Sequence, residues 1–173
     1  MPGPFHPSTR ACSVCANVMS PRSDLRLPLD VYAESGLVFS VTIGTKPRAP
    51  VFADLVFSRE CVEALRALAD SRGNQVFAYC LMPDHVHLLI GVGAQASLIA
   101  FVQAWKSQCY RARRARGHPQ TFWQRRFWDH VLRTNEDIRT VALYILCNPV
   151  RKGLVDDFRA YPLCGSFVFE LGD

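Results

Sequence analysis

Residues 37–45 (LVFSVTIGT) alternate apolar and polar positions and are rich in β-branched side chains, which predicts a first strand. From Asp54 to Arg72 the period lengthens. Leu55, Cys61, Val62, Leu65, Leu68 and Ala69 recur at helical spacing, with Ser58 and Glu60 near the start and Gly73 as the stop. Two apolar runs, 75–82 and 86–92, flank Pro83-Asp84; proline cannot donate to a ladder and aspartate favours turns, so these predict two strands in a tight hairpin. Residues 96–116 put Leu98, Ile99, Val102, Trp105 and Cys109 on one helical face, and Gly117, His118 and Pro119 end that helix. The stretch TFWQRRFWDHVLR (121–133) predicts a strand over 128–133. Thr134 with Asp137 three residues on resembles a capping box, opening a helix that runs to about Cys147, where Pro149 forbids much more.

The resulting order, β-α-β-β-α-β-α, predicts an α+β fold: a ferredoxin-like split βαβ antiparallel sheet with helices packed on it and an added C-terminal helix. Residues 1–34 hold five prolines before position 30 and little periodicity, and read as a loosely ordered leader. The expected domain spans 35–165, and 166–173 form a C-terminal tail whose apolar approach (161–170) suggests one more strand. With 49% hydrophobic and 20% charged residues among 173, the chain can bury a real core. It has no apolar run of membrane-spanning length and no apolar segment of a secretion signal near Met1. Seven cysteines, an odd number, fit a reduced interior, so a cytoplasmic protein without membrane attachment is expected. Cys12-x-x-Cys15 has no second pair at zinc-finger spacing.

Charge is local. The formal net charge is +5, yet eight basic residues and one acid lie between Trp105 and Arg133, which leaves the rest of the chain at −2. Concentrated positive charge suits a polyanion, and seventeen of the 20 basic residues are Arg, whose planar fork matches phosphate. Lys106, Arg111, Arg113, Arg114, Arg116, Arg125 and Arg126 are the candidate phosphate contacts. Aromatics interleave with them (Trp105, Phe122, Trp123, Phe127, Trp128) as in base-stacking surfaces, with Trp123 the chosen candidate, although several must be core.

Two features carry possible chemistry. His85-Val86-His87 follows the Pro83-Asp84 turn; alternation puts both imidazoles on one face of a strand and Val86 on the other, so the pair could ligate a divalent ion or simply lie on the surface. Tyr144 and Asn148 are four apart and share a helical stripe beside the apolar ridge Ile138, Val141, Ala142, Ile145. Packing and helix capping are the ordinary uses of those two residues. His130 stays unassigned.

In combination, YCLMPDHVHLLI (79–90), FWQRRFWDHVLR (122–133) and YILCNPVRKGLV (144–155) strongly resemble the REP-associated tyrosine transposases, a branch of the HUH single-strand endonucleases related to IS200-like transposases. The resemblance implies His85 and His87 as the metal pair, Tyr144 as nucleophile, and Asn148 as a third, polar ligand. It further implies a divalent ion (Mg²⁺ or Mn²⁺) and, as partner, single-stranded DNA that forms REP-like hairpins, cleaved and rejoined through a 5′-phosphotyrosine. Monomer and homodimer both stay open. Two other readings compete. A domesticated hairpin-DNA-binding protein would need neither the histidines nor the tyrosine, and a zinc hydrolase using the His pair would use water in place of Tyr144.

Overall fold

The computed structural model describes residues 27–94, 97–133 and 136–170. Strands β1 (Val38–Gly44), β2 (Gln75–Met82), β3 (His85–Gly91), β4 (Trp128–Val131) and the short β5 (Cys164–Gly165) form one antiparallel sheet in the order β4-β1-β3-β2-β5. The first four strands with α1 (Leu55–Arg72) and α2 (Leu98–Ala115) make the expected split βαβ arrangement; α3 (Ile138–Leu146) and α4 (Asn148–Arg151) follow β4.

Local chemistry accounts for the ends of the helices. The Asp54 carboxylate accepts the Phe57 N–H at the start of α1, and Gly73, at φ +65°, closes it in the left-handed conformation that glycine adopts without strain. Ser97 caps α2 by accepting the Ala100 N–H. Helix α3 is capped by Asp137 itself, which accepts from Thr140 N, so the helix starts three residues later than the sequence suggests; Thr134 lies outside the described residues. Strand β4 is likewise shorter than expected, ending at Val131.

The sheet is covered on both sides. One face presents Phe39, Val41 and Ile43 of β1 with Val86, Leu88 and Ile90 of β3, and receives α1 and α2 through Phe57, Leu65, Phe101, Val102 and Trp105. The opposite face presents Ala78, Cys80 and Met82 of β2 with Leu89 of β3, against Val141, Ala142, Ile145 and Leu146 of α3. A register shift between Val76 and Ala78 lets Val76 face the first layer while Phe77 and Ala78 both face the second.

Two expected boundaries dissolve in the packing. The end of the leader is core: Tyr32 is buried, stacks on Phe39 at 5.7 Å and donates its hydroxyl to Asp129 at 2.8 Å. Residues 1–26, including Cys12 and Cys15, lie outside the described residues. At the other end β5 supplies the extra strand, and Phe167 and Phe169 pack against Tyr79 and Phe77 at 5.0 and 5.7 Å. Cys61, Cys80, Cys109 and Cys164 are free thiols.

Candidate active site

Strand alternation decides which residues of β3 are available. Val86 is fully buried beneath α1 and α2, whereas His85 and His87 point to the α3 side and line a cavity of about 330 Å³. Tyr144 of α3 and Asn148 of α4 line the same cavity, so the four residues proposed for chemistry are brought together. Ser40 and Thr42 from the open face of β1, Trp128 and His130 from β4, and Glu136, Arg48, Arg151 and Lys152 complete the wall.

The histidines converge. Their Nε2 atoms are 3.0 Å apart, and the rings meet edge to face at 87°. Each Nδ1 has its own partner: the Asp84 carboxylate for His85, the Thr42 hydroxyl, at 3.0 Å, for His87. Donation of Nδ1–H to those oxygens leaves each Nε2 lone pair pointing at its neighbour, the arrangement that outer partners impose on metal-ligating imidazoles. Burial, then the neighbouring His85, then Arg151 and Lys152, pushes the His87 pKa down to about 3, so this ring is a neutral donor at physiological pH. Two nitrogens about 3.0 Å apart, each about 2.1 Å from one ion, would subtend roughly a right angle, so the pair fits a divalent cation. Among the described residues no third His, Cys, Asp or Glu completes a ligand cluster. The wall also carries amide and hydroxyl oxygens that could serve as a further ligand.

Asn148 is placed to provide one. Pro149 has no N–H, so it leaves the Ile145 carbonyl without its i+4 donor, ends α3 at Leu146 and opens α4. The Asn148 side-chain amide fills that gap, donating from Nδ2 to Ile145 O at 3.0 Å and more weakly to Tyr144 O at 3.4 Å. With the nitrogen so committed, Oδ1 is what this buried side chain has left to offer the cavity. Tyr144 and Asn148 thus do not share one uninterrupted helix, as the spacing alone suggests; α3 ends between them, at Leu146, and Pro149 follows both. The Arg151 guanidinium lies 4.3 Å above the Tyr144 ring, so a cation flanks the phenol.

Several of these residues escaped the sequence. In the sequence Asp84 reads only as a turn former, and Thr42 pairs with His87 only through the β1–β3 register. Arg48, at φ +67° the only non-glycine among the described residues with positive φ, reaches Asp84 at 3.4 Å. His130 donates from Nε2–H to the Glu136 carboxylate at 3.1 Å, tying β4 to the approach of α3. Burial opposes ionisation of Glu136, but the Arg133 N–H and His130 outweigh it and hold the carboxyl below its usual range.

The basic stretch is divided by the fold. Helix α2 packs on the sheet face away from the His pair. Lys106 is half-buried and donates to Gln124 O at 2.7 Å; burial and then Lys46 lower its pKa. The Arg113 guanidinium lies 5.7 and 5.6 Å from the Phe57 and Phe122 rings, and Arg116 pairs with Glu60. Arg111, Arg114, Arg125 and Arg126 are exposed, and Arg125 with Lys46 and Lys106 lines a separate groove of about 540 Å³. Trp123 is largely a core residue: it is 4% exposed, packed against Phe52, Trp105 and Phe122, with its Nε1 donating to Lys106 O, and what remains accessible lines that groove.

Residues 34–146 match the family Transposase IS200 like, well over half the chain, and the protein belongs to that family. Among curated relatives, a Haemophilus influenzae protein that carries the name REP-associated tyrosine transposase in provisional form is 29% identical over 99 residues, 51% of this chain and 56% of its own length. The REP-associated tyrosine transposase of Escherichia coli is 29% identical over 91 residues, 53% of each chain. The chain thus spans about half the length of these relatives. A solved structure of a REP-associated tyrosine transposase bound to a REP hairpin is similar with a TM-score of 0.65 at 23% identity, covering 83% of this chain and 82% of that one, a likeness of fold.

Proposed function

We propose that the protein is a DNA strand transferase that cleaves and rejoins hairpin-forming single-stranded DNA through a 5′-phosphotyrosine on Tyr144. What supports this most directly is the convergence of the His85 and His87 Nε2 atoms in the cavity that Tyr144 and Asn148 also line. The relatives' names, and the hairpin in the similar structure, support a REP-like hairpin as substrate.

His85, His87 and Asn148 Oδ1 would hold a divalent ion, Mg²⁺ or Mn²⁺, which supplies Lewis-acid polarisation of a phosphodiester oxygen. Asp84 and Thr42 keep the two rings in the tautomer that leaves Nε2 free. Tyr144 Oη forms a bond to phosphorus while the bond from phosphorus to the 3′ oxygen breaks. The phenol gives up one proton and the departing 3′ oxygen takes one, so none is consumed. Because the new ester keeps the bond energy, a 3′-hydroxyl can reverse the step without a nucleotide cofactor. Arg151, beside the phenol ring, and Arg48 and Lys152 at the cavity wall would meet the flanking phosphates.

The test is incubation with end-labelled hairpin DNA and Mn²⁺, read on a denaturing gel. A covalent adduct that disappears in Tyr144→Phe, with hairpin binding unchanged, is the expected result. Binding without an adduct would mean a domesticated binding protein. Cleavage without an adduct would mean a water nucleophile.

A further inference from the structure

Trp128 opens β4, and its side chain is 39% exposed, although large apolar groups on this chain are mostly buried. It lines the cavity that holds His85, His87 and Tyr144. The register fixes its place: Thr42 pairs with His87 on one side and with Trp128 on the other, so the three residues form one row across β3, β1 and β4. Two strand spacings, about 10 Å, therefore separate the indole from the His pair. Strand β4 is the sheet edge among the described residues, so no further strand flanks the indole. His130, two residues on along the strand, stacks beside it, with ring planes within 16° and centroids 6.2 Å apart. Cationic Arg48, Arg151 and Lys152 line the same cavity, where a polyanion's phosphates would run.

We propose that Trp128 is a stacking platform for one nucleobase of the bound single strand, a nucleotide or two from the phosphate held at His85, His87 and Tyr144. The inference rests on the reading of the cavity as a single-stranded DNA site. An exposed indole at the edge of a cationic cavity offers what a single strand needs beside charge neutralisation: a π face that accepts any base. The stretch 121–133 pairs two indoles with opposite uses, Trp123 closing the core and Trp128 facing the cavity.

The chain has three tryptophans, and Trp105 and Trp123 are 0% and 4% exposed, so water-accessible indole emission comes from Trp128. The probe is a ten-nucleotide single-stranded DNA of mixed sequence, added to the Tyr144→Phe protein, which forms no adduct. Saturating DNA is expected to protect the emission from acrylamide quenching several-fold. The same strand with abasic sites throughout should bind without protecting. Trp128→Ala should weaken binding about ten-fold and Trp128→Phe should restore most of the loss, with an unchanged melting temperature in both. Full quenching with DNA bound, or equal affinity in Trp128→Ala, overturns the proposal, and the quenching arm needs no substitution at Trp128. An adduct from the wild-type protein together with unprotected Trp128 removes the platform alone. Protection without any adduct removes the cleavage reading alone, and failure to bind any single strand removes both.

Discussion

Val86 and His87 are adjacent on β3 and face opposite layers, so exchanging each for alanine separates folding from chemistry. Val86 is 0% exposed and sits between Ile43 and Leu81 on the face covered by α1 and α2. Val86→Ala removes two methyl groups, about 1.6 kcal/mol of transfer energy at roughly 0.8 each. A cavity of some 40 Å³ that closes only partly adds about 1 kcal/mol, for a total near 2.5. In a chain of this size that lowers the melting temperature by about 5–10 °C. His87 instead lines the cavity and gives up one hydrogen bond to Thr42, so His87→Ala should cost about 1 kcal/mol. Thermal denaturation by circular dichroism, paired with single-turnover adduct formation at 20 °C in Mn²⁺, reads both quantities on the same preparations. Val86→Ala should melt early and still form the adduct at the wild-type rate; His87→Ala should melt nearly as the wild type and form none. Equal melting losses for the two variants, or a chemical defect confined to Val86→Ala, would refute the assignment of strand faces on which the site rests.

Asp84→Asn should weaken Mn²⁺ binding by about 10–100-fold in calorimetric titration while the fold is retained, because the His85 ring loses the carboxylate that sets its tautomer. Replacing Arg151 and Lys152 together by alanine should lower affinity for any single strand and flatten the slope of log affinity against log salt by roughly 0.7 to 1.4. Arg113→Ala should leave that slope unchanged and reduce thermal stability, since its guanidinium packs over Phe57 and Phe122. The Glu136 pKa is lower folded than unfolded, so its stabilising effect is complete above the unfolded value, about 4.3, and fades as pH falls through the folded one. A urea midpoint difference between wild type and Glu136→Gln should thus be present at pH 7 and shrink steadily as the pH is lowered into the acid range.

The strands and long helices were legible because each buries one face, and burial leaves its period in the sequence: Val86, Leu88 and Ile90 against His85 and His87 is the plainest case. What the sequence hid depends on distant pairing. Nothing local says that Thr42 stands opposite His87, or that Arg48 turns back to Asp84. Trp123 and Trp128 sit five residues apart in the same basic, aromatic run, and only the tertiary fold decides that one ring closes the core while the other faces the cavity. Pro149 is legible as a stop, but its second effect, an Ile145 carbonyl without its i+4 donor that orients Asn148, needs the hydrogen bond to be seen. The division of the basic stretch was hidden for the same reason, since charge counts carry no information about which sheet face a helix covers.

The position of β3 in the sheet has a consequence for how the molecule breathes. It is paired on both edges, to β1 and β2, and covered on both faces, so its amides should exchange with solvent only in global unfolding. Strand β4 is four residues long, pairs on one edge among the described residues, and begins with an exposed indole. Its amides should open first, through local fluctuations far smaller than unfolding. The cavity therefore has a stiff floor carrying the two imidazoles and a compliant rim carrying Trp128 and His130. A strand of DNA could shift the rim to admit itself without disturbing the spacing of the nitrogens beneath.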